Sequence, residues 1–228
     1  MYPFQLYYFL KIDTLWKYLM LYMTQAVVGT IIHTCMYSSC DQLLVTLTVD
    51  VCILLRMLQY DLENIKVEPG QEESLAKLKD IVKTHQKLLR LAENMNEIFG
   101  IIMFVVVLCS SVIICLFIFL TIVATAPLQL FKNFLAVTQV LSIVFYIMLP
   151  GQILSDTSSG VADAAYQSLW YDSDPKFRKI ICIIIARSQE PCKLRALSYT
   201  DMNFNAFCKI CSTAWSYVSL VNQMYQKD

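Results

Sequence analysis

The chain contains long stretches without a formal charge, and their length limits the folds that it can adopt. An α-helix that crosses the hydrocarbon core of a bilayer needs about 20 mostly apolar residues. Three such runs carry no charge and a fourth is interrupted only by Lys209; the runs are Tyr18–Cys40, Ile98–Phe131, Asn133–Ser155 and Met202–Gln226. They are longer than β-strands and lack the alternation that strands show. The sequence therefore predicts an all-α integral membrane protein with four transmembrane helices.

Composition supports this fold class and excludes several functions. Apolar residues make up 57% of the chain and charged residues 16%, against about 45–50% and about 25% in soluble domains. The net charge is zero, so charge gives no indication of nucleic-acid binding. Cys208 and Cys211 have no second pair or histidine partner, and neither His33 nor His85 lies in a catalytic motif. We therefore expect no metal site, no cofactor and no enzymatic activity.

Basic residues are distributed unevenly between the two sides of the predicted spans. Thirteen of the eighteen Lys and Arg residues fall in the two long connections, and four lie on the opposite side. Basic residues near the ends of spans mark the cytoplasmic side. Both long connections are therefore predicted to be cytoplasmic and both termini extracellular.

The N-terminal residues add a constraint to this topology. Met1 is followed by Tyr-Pro-Phe-Gln-Leu-Tyr-Tyr, which lacks the basic leader and the cleavage site of a signal peptide. An extracellular N-terminus without a signal peptide is difficult to insert. We therefore expect an odd number of helices upstream, in a longer protein of which this chain is a fragment.

The predicted cytoplasmic segments are helical. Apolar residues spaced three, four and seven apart, from Leu75 to Phe99, form one stripe on a helix that continues into the second span. Pro150-Gly151 is expected to weaken or kink the third span. The predicted segments are an extracellular loop remnant (1–16), the first span with a cytoplasmic extension (17–60), a cytoplasmic loop (61–74), a cytoplasmic helix with the second span (75–126), an extracellular loop (127–133), the third span with an extension (134–171), a cytoplasmic helix (172–192) and the fourth span (193–228).

Polar residues of the last span share one helical face. They are spaced four, three, four, three and four apart, at Asn205, Lys209, Ser212, Ser216, Ser219 and Gln223. Lipid cannot satisfy such a stripe, so it must face protein or water. It either packs against neighbouring helices through small residues and hydrogen bonds or lines an aqueous pore formed by several subunits. Periodicity alone leaves both interpretations open, although a lone intramembrane lysine favours water.

The second half of the chain contains an ordered series of motif residues. They are Gly151, Tyr166, Trp170, Arg187, Gln189, Pro191, Phe207, Ser216 and Tyr217. This series resembles the C-terminal signature of the insect odorant receptors, and His85 also fits the family pattern. The resemblance covers most of the chain, and the ordered combination is more specific than any one of its residues.

The resemblance implies an architecture and an activity. Family members have seven transmembrane helices, and this chain is similar to helices four to seven. The implied protein is a cation channel, tetrameric with a shared co-receptor subunit, in the plasma membrane of olfactory sensory neurons and opened by a small volatile ligand. Its seventh helix lines the pore, which favours the pore interpretation of the polar stripe. The implied pore and gate residues are Lys209, Ser212, Ser216, Ser219, Leu220, Gln223 and Met224, with Leu220 and Met224 as an apolar gate.

The same resemblance implies a ligand pocket and an intersubunit anchor. The candidate pocket residues are Tyr22, Met23, Val27, Thr30, Thr138, Leu141, Ser142, Phe145 and Tyr146. The candidate anchor residues, in and around the segment 172–192, are Tyr166, Trp170, Arg178, Lys179, Arg187, Gln189 and Pro191. Ordinary helix packing is the alternative for each pocket residue, and a solvated or lipid-headgroup face is the alternative for the basic anchor residues.

Two other classes of membrane protein have recognisable sequence features. A gustatory receptor should end in a different motif in its last helix. A transporter should show internal repeats and broken helices at matching positions, whereas Pro150-Gly151 is the single break suggested by the sequence.

The charge distribution generates a first prediction. A tag placed after Asp228 should be labelled on intact cells, because the basic connections hold the preceding span with its C-terminus outside. Surface labelling with a membrane-impermeant reagent measures this. Labelling that requires permeabilised cells would contradict the topology.

Overall fold

The computed structural model describes residues 15–33, 39–65, 72–197 and 199–225. These residues are almost entirely helical. The α-helices are α1 (Leu15–His33), α2 (Ser39–Glu63), α3 (Glu72–Val123), α4 (Pro127–Gln167), α5 (Pro175–Ser188) and α6 (Phe204–Tyr225). A 3-10 helix, Trp170–Asp172, lies between α4 and α5, and two short strands, β1 (Arg195–Ala196) and β2 (Thr200–Asp201), lie between α5 and α6. The prediction of an all-α protein is confirmed, apart from this small antiparallel pair.

Among the described helices, three are long and apolar enough to cross a membrane: α2, α3 and α4. The second and third predicted spans fall within α3 and α4, whereas α2 was predicted to be an extension of the first span. The helix α6 is not one of the three, since its polar stripe lowers its mean hydropathy. The first predicted span, residues 18–40, includes residues outside the described part of the chain. Four transmembrane helices therefore remain a prediction.

The connections are shorter than the sequence indicated. Residues 127–133, predicted to be a loop, form the first turns of α4. Pro127 opens that helix, where its missing N–H costs nothing, and the N–H groups of Gln129 and Leu130 donate to the Ala126 carbonyl at 3.0 and 3.1 Å. The predicted loop 61–74 is also longer than the observed connection, because α2 ends at Glu63 and α3 begins at Glu72. The loops were overestimated because polar residues also occupy exposed helix termini.

The chain separates into two compact units, residues 1–45 and 46–228. In the first unit, the helix α1 stacks the rings of Tyr18 and Tyr22 at 6.4 Å. In the second, α3 and α4 pack along each other, α5 packs mainly on α4, and α6 packs on both α3 and α4. The side chains with the least exposure in this unit include Leu55, Leu62, Leu78, Met148, Leu154 and Ile181.

The helix α3 has two parts with different surroundings. Its first part follows the predicted apolar stripe, with Leu78, Ala92 and Phe99 buried and charged residues exposed between them. Its second part is a continuous apolar stretch with little burial inside this chain. A surface of this kind is stable only against lipid or other protein, as expected for a helix that crosses a membrane.

A polar contact joins α2 to α4 inside the second unit. The Gln59 amide, 9% exposed, donates to the Thr157 carbonyl at 2.6 Å. Burying an amide without a partner costs free energy, so this bond fixes the register of the two helices.

The backbone of α4 comes very close to the chain that enters α6. A Cβ atom added at Gly151 would lie 2.0 Å from the carbonyl oxygen of Met202. No side chain fits in that space, and the neighbouring atom belongs to the backbone, which cannot move aside easily. Gly151 therefore sets the distance between α4 and the start of α6.

This contact generates a stability prediction. Gly151→Ala should destabilise the protein by about 3 kcal/mol or more, roughly 6–12 °C in Tm, because a backbone contact must separate. Thermal unfolding of the purified protein in detergent measures the effect. Gly100→Ala is the matched control: its Cβ would lie 3.4 Å from the Arg195 carbonyl oxygen, an ordinary van der Waals distance. Equal losses for the two variants would contradict the prediction.

Candidate functional site

The polar stripe of α6 lies on its exposed face. All six of its residues are exposed in this chain: Asn205, Lys209, Ser212, Ser216, Ser219 and Gln223. The buried residues of α6 lie on another side, where Ala206 and Ala214 are 8% and 6% exposed and face the α3 side of the helix. The stripe is therefore not used for packing within the described part of the chain.

The hydrogen-bonding capacity of the stripe is mostly free for other groups. Ser216 donates to the Ser212 carbonyl one turn earlier at 3.0 Å, which is the usual local bond of a helical serine. Among the described residues, no ion pair involves Lys209. Of the two predicted gate residues, Leu220 is 57% exposed, whereas the Met224 side chain lies outside the described part of the chain.

The base of α6 is a turn that we name the hairpin base, residues 192–203. Asn96 of α3 holds it at two points: its amide donates to the Lys193 carbonyl at 2.7 Å, and its side-chain oxygen accepts from the Arg195 N–H at 2.8 Å. The Leu197 N–H donates to the Gly100 carbonyl at 3.0 Å. The hairpin base is thus attached to α3 by hydrogen bonds as well as by packing.

The turn itself has two local features. Leu197 adopts a φ of 52°, a left-handed conformation that is unfavourable for a residue with a Cβ. The Met202 N–H donates to the Leu194 carbonyl at 2.8 Å, which closes the turn. Immediately afterwards, the Asn203 side chain caps α6 by accepting from the Ala206 N–H at 2.9 Å.

An ion cluster crosses the hairpin base. Asp201 lies 2.8 Å from the Lys193 amine and 3.2 Å from Nε of Arg195. The hydrogen bond from Lys193 is the main reason that the pKa of Asp201 falls below its ordinary value, and the charges of both basic residues add to the effect. The carboxylate consequently stays ionised and holds the two strands in register.

The opposite side of the hairpin base contacts α4. The Cys192 N–H donates to the Ser158 hydroxyl at 2.9 Å, and the Phe204 N–H lies 3.4 Å from the side-chain oxygen of Gln152. Gly151 approaches Met202 next to the Gln152 contact. The start of α6 is therefore fixed to two long helices.

The candidate anchor residues occupy the neighbourhood of α5. Arg187 donates to the Glu190 carbonyl at 3.0 Å and so closes the end of α5. Burial and, to a lesser extent, the charge of Arg187 lower the pKa of the motif residue His85, which favours its neutral form. Tyr166, Arg178, Lys179 and Gln189 are exposed, and Trp170 and Pro191 are partly buried. Contact between subunits at these residues remains a prediction.

The candidate ligand residues fall in separate units. Tyr22, Met23 and Val27 are exposed on α1, and the Thr30 side chain is outside the described part of the chain. On α4, the hydroxyls of Thr138 and Ser142 donate to carbonyls of their own helix at 2.9 Å. Leu141 and Tyr146 lie on the same helix, and Phe145 is in contact with α6. Whether these residues line one cavity stays a prediction.

Sequence reasoning missed several features of the site. A groove of about 1080 Å³ lies between α3 and α6, bordered by Phe104, Cys115, Lys209 and Tyr217. The hairpin base and its support by Asn96 were also missed. An asparagine close to the apolar part of a helix is a recognisable signal, but the partners of its amide lie about a hundred residues away and cannot be identified from spacing.

The fold and the exposed polar face define a helical membrane protein with a largely unpartnered polar helix surface. Comparison with known proteins places it more narrowly. The family model described as 7tm Odorant receptor matches residues 1–215. The chain belongs to this family, which is one of receptors rather than enzymes.

Individual relatives support the same family assignment. Odorant receptor 85b of Drosophila melanogaster is 28% identical over 98% of this chain and 57% of its own length. Odorant receptor 67a of the same species is 32% identical over 69% of this chain and 39% of its own length. The chain thus spans about half the length, or less, of these curated relatives.

A solved structure shows the same fold. The olfactory receptor OR5 of Machilis hrabei, in complex with eugenol, aligns with 96% of this chain and 56% of its own chain, with a TM-score of 0.79 and 17% identity. The family assignment confirms the resemblance found in the sequence and removes the grounds for the gustatory receptor and transporter alternatives.

The ion cluster generates a prediction about pH. Asp201→Asn should lower the free energy of unfolding by about 0.5–1 kcal/mol at neutral pH, a modest value because these groups are partly exposed to solvent. The folded-state pKa of Asp201 is lowered, so its stabilisation is complete above the ordinary value near 3.8 and is lost as pH falls through the folded value. Unfolding of both proteins from pH 7 to pH 2 should show a constant difference near neutral pH that shrinks as pH falls below the ordinary pKa. A difference that grows towards low pH would contradict this assignment.

Proposed function

We propose that this chain forms the pore-containing part of an odorant receptor subunit, a cation channel opened by small volatile hydrophobic ligands. The observation that carries the proposal is the position of the polar stripe. Six polar residues share one face of α6, and all six side chains are exposed within this chain. In a membrane protein such a face needs water or polar protein beside it.

The exposed position of the stripe supports the pore interpretation. Packing within this chain would bury the stripe, yet it is the small residues of another face, Ala206 and Ala214, that are buried. Several copies of α6 around an axis would bring the stripes together around water. The stripe is rich in hydroxyl and amide groups, which can partly replace the hydration shell of a cation.

The gate belongs to the C-terminal part of the same helix. Leu220 is exposed next to the polar face, and a ring of such side chains can close a channel by excluding water. Together with Met224 it forms the proposed gate, and Gln223 tunes permeation. Lys209, about four turns closer to the hairpin base, lies roughly 22 Å from Met224 at 1.5 Å per residue and belongs to the inner vestibule.

The remaining parts follow from the proposed topology. Both termini are extracellular, and the hairpin base, α5 and its anchor residues lie on the cytoplasmic side. There they join this subunit to a co-receptor in a heterotetramer, in the plasma membrane of olfactory sensory neurons. The relative OR5 is described in complex with eugenol, which supports a small organic ligand here as well.

Cysteine accessibility tests the pore. The chain is joined to the N-terminal part of Odorant receptor 85b and expressed with the co-receptor; this construction is called the chimeric receptor below. In a background with Cys208 and Cys211 changed to serine, cysteines at 216, 219 and 223 should react with extracellular thiol reagents while the ligand is bound. Reaction should change the ligand-evoked current, because the modified side chains stand in the ion pathway.

Positions on the groove side of α6 provide the matched controls. Ile210, Ala214 and Val218 border the groove between α3 and α6, so cysteines there should leave the current unchanged under the same reagent. If these positions react and the stripe does not, the stripe is a packing surface and the proposed pore is wrong.

A further inference from the structure

Three aromatic rings connect α4 to the first turn of α6. The ring of Phe145 stacks on Phe204 with 5.5 Å between centroids and 2° between planes. It also meets the ring of Phe207 edge-on, at 5.6 Å and 73°. Phe145 thus touches two residues that lie one turn apart on α6, and we name these three residues the phenylalanine cluster.

The phenylalanine cluster extends a contact that begins at the hairpin base. Gly151 and Gln152, about two turns further along α4, approach Met202 and Phe204. The segment of α4 from 145 to 152 is therefore the surface on which α6 starts. From there the two helices run antiparallel, since Phe207 continues α6 beyond Phe204 while Phe145 precedes Gly151.

Beyond the cluster, α6 is held loosely within this chain. Among the described side chains of α6 after Phe207, Ala214 is the one that is buried. The proposed gate residue Leu220 lies near the other end of the helix and is exposed. The position of the gate therefore depends on how the base of α6 is oriented, and two rings from α6 rest on Phe145.

Phe145 also lies on the helix that contributes candidate ligand residues. Thr138, Leu141, Ser142 and Tyr146 precede or adjoin it on α4. Its own ring, however, is in contact with α6. A displacement of this part of α4 by a ligand would consequently be passed to α6 through this side chain.

We propose that Phe145 is the residue that couples the ligand-dependent position of α4 to the pore helix α6, and that it acts by positioning Phe204 and Phe207. This proposal rests on the proposed function. It adds the residue contacts through which the ligand-binding residues of α4 would act on the pore. It separates Phe145 from the ligand contacts with which the sequence grouped it.

Coupling of this kind has a defined signature. A ligand shifts a channel only by its different affinity for the closed and open states, and a coupling residue transmits that difference without touching the ligand. Removing one aromatic partner should reduce the ratio of ligand-evoked to basal current by about two- to tenfold, the range expected for an aromatic pair. The reduction should be the same factor for every agonist.

The experiment compares Phe145→Leu with the unsubstituted chimeric receptor over several agonists, with surface amounts measured by biotinylation. Phe145→Tyr keeps the ring and should retain the current ratio. Phe204→Leu removes the partner ring and should reproduce the loss, and the double variant should lose little more than either single variant. If Phe145→Leu fails to reach the surface, Phe204→Leu and Phe207→Leu provide the same comparison from the α6 side.

Phe134→Leu is the matched control. Phe134 lies about three turns earlier on α4, is exposed and makes no ring contact within the described part of the chain. The Phe134→Leu receptor should show the same ratio of ligand-evoked to basal current as the unsubstituted receptor.

The outcomes separate the two proposals. An unsubstituted receptor without any ligand-evoked current overturns the proposed function, and the coupling proposal with it. A ligand-evoked current that is the same in Phe145→Leu and Phe134→Leu overturns the coupling alone. A Phe145→Leu receptor that loses some agonists and keeps others also overturns it, because Phe145 would then be a ligand contact.

Discussion

The contact between the Gly151 backbone and the Met202 carbonyl determines where the last helix can stand. Because no Cβ fits between them, α4 and the hairpin base meet at backbone distance, and every later residue of α6 is placed relative to that point. Asn96 and Gly100 hold the other side of the hairpin base to α3. A helix with so few buried residues of its own depends on this support for its orientation, in addition to its packing on α3 and α4.

The exposed polar face of α6 follows from the same arrangement. With the start of the helix fixed, the small residues Ala206 and Ala214 turn inward, and the stripe that begins at Asn205 stays exposed, with Lys209 at the edge of the groove beside α3. The unpartnered amine of Lys209, within the described part of the chain, is tolerable in a membrane protein only beside water or polar groups. Stability thus requires one face of α6 to be small and apolar, whereas the proposed permeation requires the other face to be polar and exposed to water.

The sequence predicts the helices well, because uncharged runs and three- to four-residue spacing report directly on lipid exposure and burial. The amphipathic first part of α3, with Leu78, Ala92 and Phe99 inward, and the shared face of the α6 stripe were both predictable from periodicity. The start of α4 was placed too late, since Pro127 suggests a loop as readily as a first helical residue.

Long-range contacts were out of reach of that reasoning. Nothing in the spacing of Asn96 points to residues 193 and 195, and the sequence around Gly151 predicts a kink rather than a contact with Met202. Phe145 was grouped with the ligand residues through the family resemblance, and only the structure shows its ring against α6. These contact partners are brought together by tertiary packing. The local residue pattern of a single sequence does not identify them.

The central claim is that the polar face of α6 borders the ion pathway, and ion selectivity tests it most directly. Gln223 is exposed on that face, so Gln223→Lys places a positive charge beside the permeating ions. In the chimeric receptor under a sodium chloride gradient, the account predicts a reversal potential displaced away from the sodium equilibrium potential, relative to the unsubstituted channel, because the added charge repels cations. An unchanged reversal potential and an unchanged conductance, at normal surface expression, would contradict it.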